Sequence, residues 1–219
     1  MDEESRIESE SEAGVSIRPE HTGSQGQEKR KPSPMTLVFK TIATPVSGWK
    51  ELKRAHVQPE DMAALSFYRL LALAAASCFA DYIYNPDVTL TGTLTNAVVE
   101  FVKYFLGYFA VMATCKILPD EIRYRMEMPF GRNFVMTAMC SLVVWSILLQ
   151  WIPIAAPVLS FLPLYTVYMV FKGVKYLRIP ENRHVLSASV ISAISILAPY
   201  IIGFLFNLLL PTAQPDLEP

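Results

Sequence analysis

Three histidines, three cysteines and nine glycines among 219 residues leave this chain short of the parts from which most catalytic sites are built. His21, His56 and His184 fall in the N-terminal stretch or in polar connections, and no HExxH pair or Cys/His cluster is present to hold a metal. Cys78, Cys115 and Cys140 all lie inside apolar runs, where they read as small packing residues rather than a disulfide framework. The scarcity of glycine excludes a phosphate-cradling loop and a GxSxG elbow. Ser141, Ser187, Ser189, Ser192 and Ser195 have no His or Lys base among them, so they read as contacts between helices. The expectation is no catalytic residue, no metal, no cofactor and no nucleic-acid partner.

Charge is also sparse. Only 18% of residues are charged against 52% hydrophobic, and the mean hydropathy of +0.31 is unusual for a soluble domain. The net charge of −1 decides nothing, because an acidic N-terminal stretch cancels basic loops. That N-terminus is polar and the first apolar run begins far downstream, so no secretory signal peptide is expected.

What the chain has in quantity is apolar length. Met62–Tyr84, Leu94–Leu118, Asn133–Ile152, Ile154–Phe171 and Ala188–Leu210 are apolar runs of 18 to 25 residues. At about 1.5 Å per residue each crosses, or nearly crosses, a hydrocarbon core of about 30 Å. The expected fold is therefore all-α, a polytopic membrane protein with five transmembrane helices. Orientation follows from the loops. Lys40, Lys50, Lys53 and Arg54 precede the first run; Lys116, Arg123, Arg125 and Arg132 lie about the second connection; Lys172, Lys175, Arg178 and Arg183 lie about the fourth. The intervening connections and residues 211–219 contain no Lys or Arg. This asymmetry places the N-terminus in the cytoplasm and the C-terminus outside. Arg132 and Lys172 must share a side, and a single helix between them would measure roughly 58 Å, so two spans joined near Pro153 and Pro157 are expected.

The chain divides into four parts. Residues 1–34, with six acids in the first twelve positions and few large apolar side chains, read as a disordered acidic tail. Residues 35–57 read as a cytoplasmic interfacial amphipathic segment: Thr44-Pro45 starts a helix that places Val46, Trp49, Leu52 and Lys53 on one face. Trp49, Lys50, Lys53 and Arg54 are its candidate anchors to headgroups, and packing of the same helix beneath the bundle is the other reading. Residues 58–210 hold the five helices, with a helix start at Gln58-Pro59-Glu60-Asp61. Residues 211–219 form a short outside tail.

Two sets of residues carry more specific information. Glu100 and Lys103 lie one helical turn apart, roughly 9 to 14 Å inward from Leu94, a depth at which charges must pair or be hydrated. Asp81, entering the same leaflet, completes a candidate three-charge cluster. The second set is Tyr165, Tyr168, Gly173 and Pro180. The tyrosines share a helical face, and Gly173 reads as a C-terminal cap at the membrane surface.

The order of residues from Tyr165 to Pro180, with Thr44-Pro45, Trp49 and Leu52 ahead of the first run, resembles the Yip (Ypt-interacting protein) domain family. The resemblance extends over Lys40 to Leu209. It implies a five-span, non-enzymatic integral membrane protein acting through protein or lipid interaction, in a membrane-organising or trafficking-like role. The chain lacks the Asp-Leu-Tyr-Gly-Pro-type element of many eukaryotic members. That absence argues against a Rab-type GTPase partner and for a prokaryotic-type member in the plasma membrane; a eukaryotic member belongs to the Golgi or endoplasmic reticulum. The expected partners are the lipid bilayer, a membrane or cytoplasmic protein, and a second copy of the chain as a homo-oligomer. The alternative is a small transporter or channel subunit using Glu100 and Lys103.

Overall fold

The computed structural model describes residues 32–80, 88–152, 154 and 156–209. Among the described residues every regular element is helical and there is no strand. Four helices are long and apolar enough to cross a membrane: Leu90–Ile117, Pro129–Trp151, Pro157–Leu177 and Glu181–Leu209. The remaining apolar run, the first, belongs to a helix over 59–77 that carries Glu60, Asp61 and Arg69. It is not one of those four.

Punctuation in the sequence sets the helix starts. Ser33 accepts a hydrogen bond from the Thr36 amide at 3.2 Å and Pro34 occupies the first turn, so α1 (Pro34–Ala43) begins one residue inside the stretch expected to be disordered. Thr44 ends α1 and starts α2 (Pro45–Ala55); its hydroxyl donates to the Lys40 carbonyl at 3.0 Å and accepts from the Ser47 hydroxyl of α2 at 2.8 Å, without capping an α2 amide. His56 then adopts a left-handed conformation, with φ of 45°, and stops α2. Next comes α3, over 59–77, with Glu60 and Asp61 in its first turn and a π-helical turn at Ala63–Phe67. Thr89 caps α4 (Leu90–Ile117) by accepting from the Gly92 amide at 3.1 Å.

The second connection is not a plain loop. Pro119 followed by Asp120 and Glu121 starts a short helix, α5 (Asp120–Glu127), before Pro129 opens α6 (Pro129–Trp151). The apolar run Ile154–Phe171 is broken into α7 (Ala156–Leu159) and α8 (Leu162–Val174), which tightens into a 3₁₀ turn at Lys175–Leu177. Arg178, with φ of 56°, takes the left-handed position that ends it. Helix α9 (Glu181–Leu209) keeps Pro199 inside it.

Helix α6 is the axis of the bundle. Its most apolar stretch is 61% buried, against 28% to 39% for the other three. Its first half, from Asn133 to Val143, is buried on every side, as a central membrane helix must be. Helices α3, α4 and α8 pack directly on it, while α9 lies chiefly along α4 and α8. Helices α1 and α2 pair with one another and dock on α6 and α8. Ser141 on α6 and Thr166 on α8 share a buried hydrogen bond of 2.9 Å, a polar contact of the kind that fixes helix register in a membrane.

Candidate functional site

Two groups of residues stand out, one at the basic end of the bundle and one deep within it. At the basic end, α2 lies against α8. Trp49 is fully buried; its indole donates to the Met169 carbonyl at 2.9 Å and its ring meets Phe134 with centroids 4.7 Å apart. This corrects the reading of Trp49 as a headgroup anchor, since the ring belongs to the core and its N–H has a protein acceptor. Val46, expected on the same face, is 56% exposed, while Leu52 is buried with Trp49.

Gly173 also departs from expectation. It sits inside α8, and no glycine among the described residues has a positive φ, so it is no left-handed cap. A Cβ there would lie 2.5 Å from the Phe134 ring and 2.6 Å from the Trp49 ring. Glycine is required because two aromatic rings occupy the space a side chain would fill. Tyr165 donates to the Ile42 carbonyl at 2.9 Å, with its ring 5.8 Å from that of Tyr168. Tyr168 itself is 49% exposed, and Pro180 is exposed ahead of α9.

Of the basic residues of α2, Lys50 and Arg54 are exposed, whereas Lys53 is half-buried and donates to the Tyr176 carbonyl at 2.6 Å. Its ammonium lies 5.7 Å from the centre of the Phe130 ring. Burial, and then the nearby charges of Arg178 and Arg125, push the Lys53 pKa below its ordinary value of 10.5. Cations from α2, α5 and the 3₁₀ turn's end are thus gathered about one point.

Deep in the bundle, Glu100 and Lys103 form an ion pair at 2.5 Å. Glu100 is buried, and its other oxygen accepts from Ser146 of α6. Lys103 also lies 5.0 Å from the centre of the Tyr104 ring. Because α4 begins at Leu90 rather than Leu94, the pair sits deeper than expected, about 15 and 20 Å along a helix of about 42 Å. Charges at that depth persist when each is matched, and here the carboxylate has two donors. Asp81, the third member of the expected cluster, lies outside the described residues.

A cavity of about 390 Å³ opens beside the pair, between α4, α6, α8 and α9, and Lys103, Tyr104, Trp145, Ser146, Tyr200 and Asn207 are its lining residues with polar groups. Sequence reasoning did not connect Tyr104, Tyr200 or Asn207 with the charges. Their signal is faint, a polar tip on a residue common at membrane boundaries. Among the described residues, no cluster of three His, Cys, Asp or Glu side chains is placed to hold a metal.

Comparison with protein-family models, with curated proteins and with solved structures yields no match to this chain.

Proposed function

We propose that this chain is a Yip-type integral membrane protein of five spans, with its N-terminus in the cytoplasm and its C-terminus outside, that works by interaction and not by catalysis. The observation that carries the reading is the convergence of the residues on which the resemblance rests. Trp49 of α2, Gly173 of α8 and Phe134 of α6 share one packing site, and Tyr165 holds the end of α1 through Ile42. They fix a helical cap on the basic end of the bundle and leave Lys50, Arg54, Lys175 and Arg178 exposed. Such a surface suits anionic headgroups or an acidic protein, and a Rab-type GTPase forms no part of the reading.

The fifth span is supported by the pinning of α3. The Asn133 amide, near the start of α6, donates to Val57 just before α3 at 2.7 Å. Ser77, at the last turn of α3, donates to Gln150 near the end of α6. Helix α3 therefore runs beside α6 over about 26 Å, close to the depth of a hydrocarbon core.

A photo-crosslinking amino acid placed at Lys50 or Arg54 in native membranes should give discrete adducts with protein or anionic lipid. The same group at Val98, which is 55% exposed on α4, should give only bulk-lipid adducts. Identical adducts from all three positions would remove the interaction reading. A second reading, a small transporter or channel subunit, is favoured by the cavity beside Glu100 and Lys103. Proton or cation flux in liposomes that Glu100→Gln abolishes would replace the first reading with the second.

A further inference from the structure

Hydrogen-bond accounting around Glu100 leaves the cavity with donors to spare. One carboxylate oxygen accepts from Lys103 and the other from Ser146, so the strongest acceptor at the site is already engaged from both sides. An ammonium carries three N–H groups, and the pair with Glu100 uses one of them. The Tyr200 hydroxyl and the Asn207 amide line the same space, whereas the Tyr104 hydroxyl is engaged with Ser146. The pair is neutral overall, so a free cation meets Lys103 unfavourably and a free anion must compete with Glu100. An uncharged molecule with a hydrogen-bond acceptor meets neither penalty.

The lining also gives the route of entry. Tyr200 is 63% exposed and Phe204 68% exposed, both on α9, a helix long and apolar enough to cross the membrane. Exposure at that position faces lipid, so the mouth opens sideways into the bilayer. Gly203 keeps the passage clear: a Cβ there would meet the Lys103 stem at 3.6 Å, an ordinary contact, and a longer side chain would fill the space. The cavity volume falls at the lower end of those that hold small ligands, and most of its lining is apolar.

We propose that this cavity is a lateral binding site for an uncharged, lipid-soluble molecule with a carbonyl oxygen at its polar end, which accepts from Lys103 while an apolar remainder lies against Phe204 and Leu149. Fatty acyl esters and quinones both carry this chemistry. The site is independent of whatever docks at the basic end.

The test uses the full chain in lipid nanodiscs and a methyl ester of a fatty acid carrying a chain diazirine and an alkyne tag. Irradiation should label peptides of α6 and α9, and unlabelled methyl palmitate or a short-chain benzoquinone should compete. The stronger competitor of the two identifies the source. Hexadecane should not compete. Gly203→Leu and, separately, Asn207→Leu should lower labelling by on the order of tenfold, the weight of one lost hydrogen bond or a blocked contact. The double change Glu100→Gln with Lys103→Met, which strands no charge, should abolish the preference for ester over alkane even where labelling persists. Competition by hexadecane as strong as that by methyl palmitate would overturn the proposal, as would full labelling in both Gly203→Leu and Asn207→Leu.

Discussion

Gly173, Trp49 and Phe134 fill a space that admits no further carbon. Adding one methyl in Gly173→Ala forces two rings apart, an overpacking cost of about 1–3 kcal/mol. Thermal unfolding in detergent should show that loss. In Trp49→Phe the smaller ring yields room, so Gly173→Ala should cost less in that background. Equal costs in the two backgrounds would separate Gly173 from Trp49. The buried ion pair has a different signature. Lys103→Ala leaves Glu100 charged and buried and should destabilise by about 3–5 kcal/mol, while the double change with Glu100→Ala should destabilise less. A double variant weaker than the single one would remove the pairing. Lys53 supplies a pH dependence. Its folded pKa is held below 10.5 by burial and by Arg178 and Arg125, so the unfolded chain binds its proton more readily than the folded one. Its contribution is present in full above the unfolded pKa and falls away as pH drops through the folded value. Wild type should therefore gain stability relative to Lys53→Met as pH rises from neutrality toward 10.5, and a constant difference would contradict the crowding of cations about Lys53.

At the scale of elements, the sequence was most legible where local chemistry alone sets structure. Thr44-Pro45 and Pro59-Glu60-Asp61 start helices because proline and acids suit a helix N-terminus wherever it lies. Gly173 misled for the opposite reason. A glycine near a helix end usually marks a left-handed turn, and only the three-dimensional approach of α2 and α6 reveals that it serves close packing. Trp49 was ambiguous in the same way, as one aromatic face suits both headgroups and a core. The π-helical turn at Ala63–Phe67 has no local signal in its residues, and the break between α7 and α8 falls after Pro157, where the sequence suggested a junction between spans. The docking of α2 has a direct optical consequence. In a variant keeping Trp49 as its sole tryptophan, emission should resist quenching by acrylamide and by lipids brominated near the headgroup. Strong quenching by either would return α2 to the membrane surface.

At the scale of the molecule, hydropathy and basic-residue asymmetry outline a membrane bundle without any tertiary information, because apolar length and charge position are properties of the chain alone. The cavity beside Lys103 could not be outlined that way, since it joins residues 103, 146, 200 and 207 from three helices. Thread and sidedness remain the central claim. It sets four helices of sufficient length beside α3, pinned along α6 through Asn133 and Ser77. Single cysteines placed at Ser47, Asp87, Asn182 and Asp216 and treated from outside with a membrane-impermeant maleimide test it most directly. Five spans predict labelling at Asp87 and Asp216 and protection at Ser47 and Asn182, whereas labelling of Ser47 together with Asp87 would mean that α3 does not cross and would contradict the account.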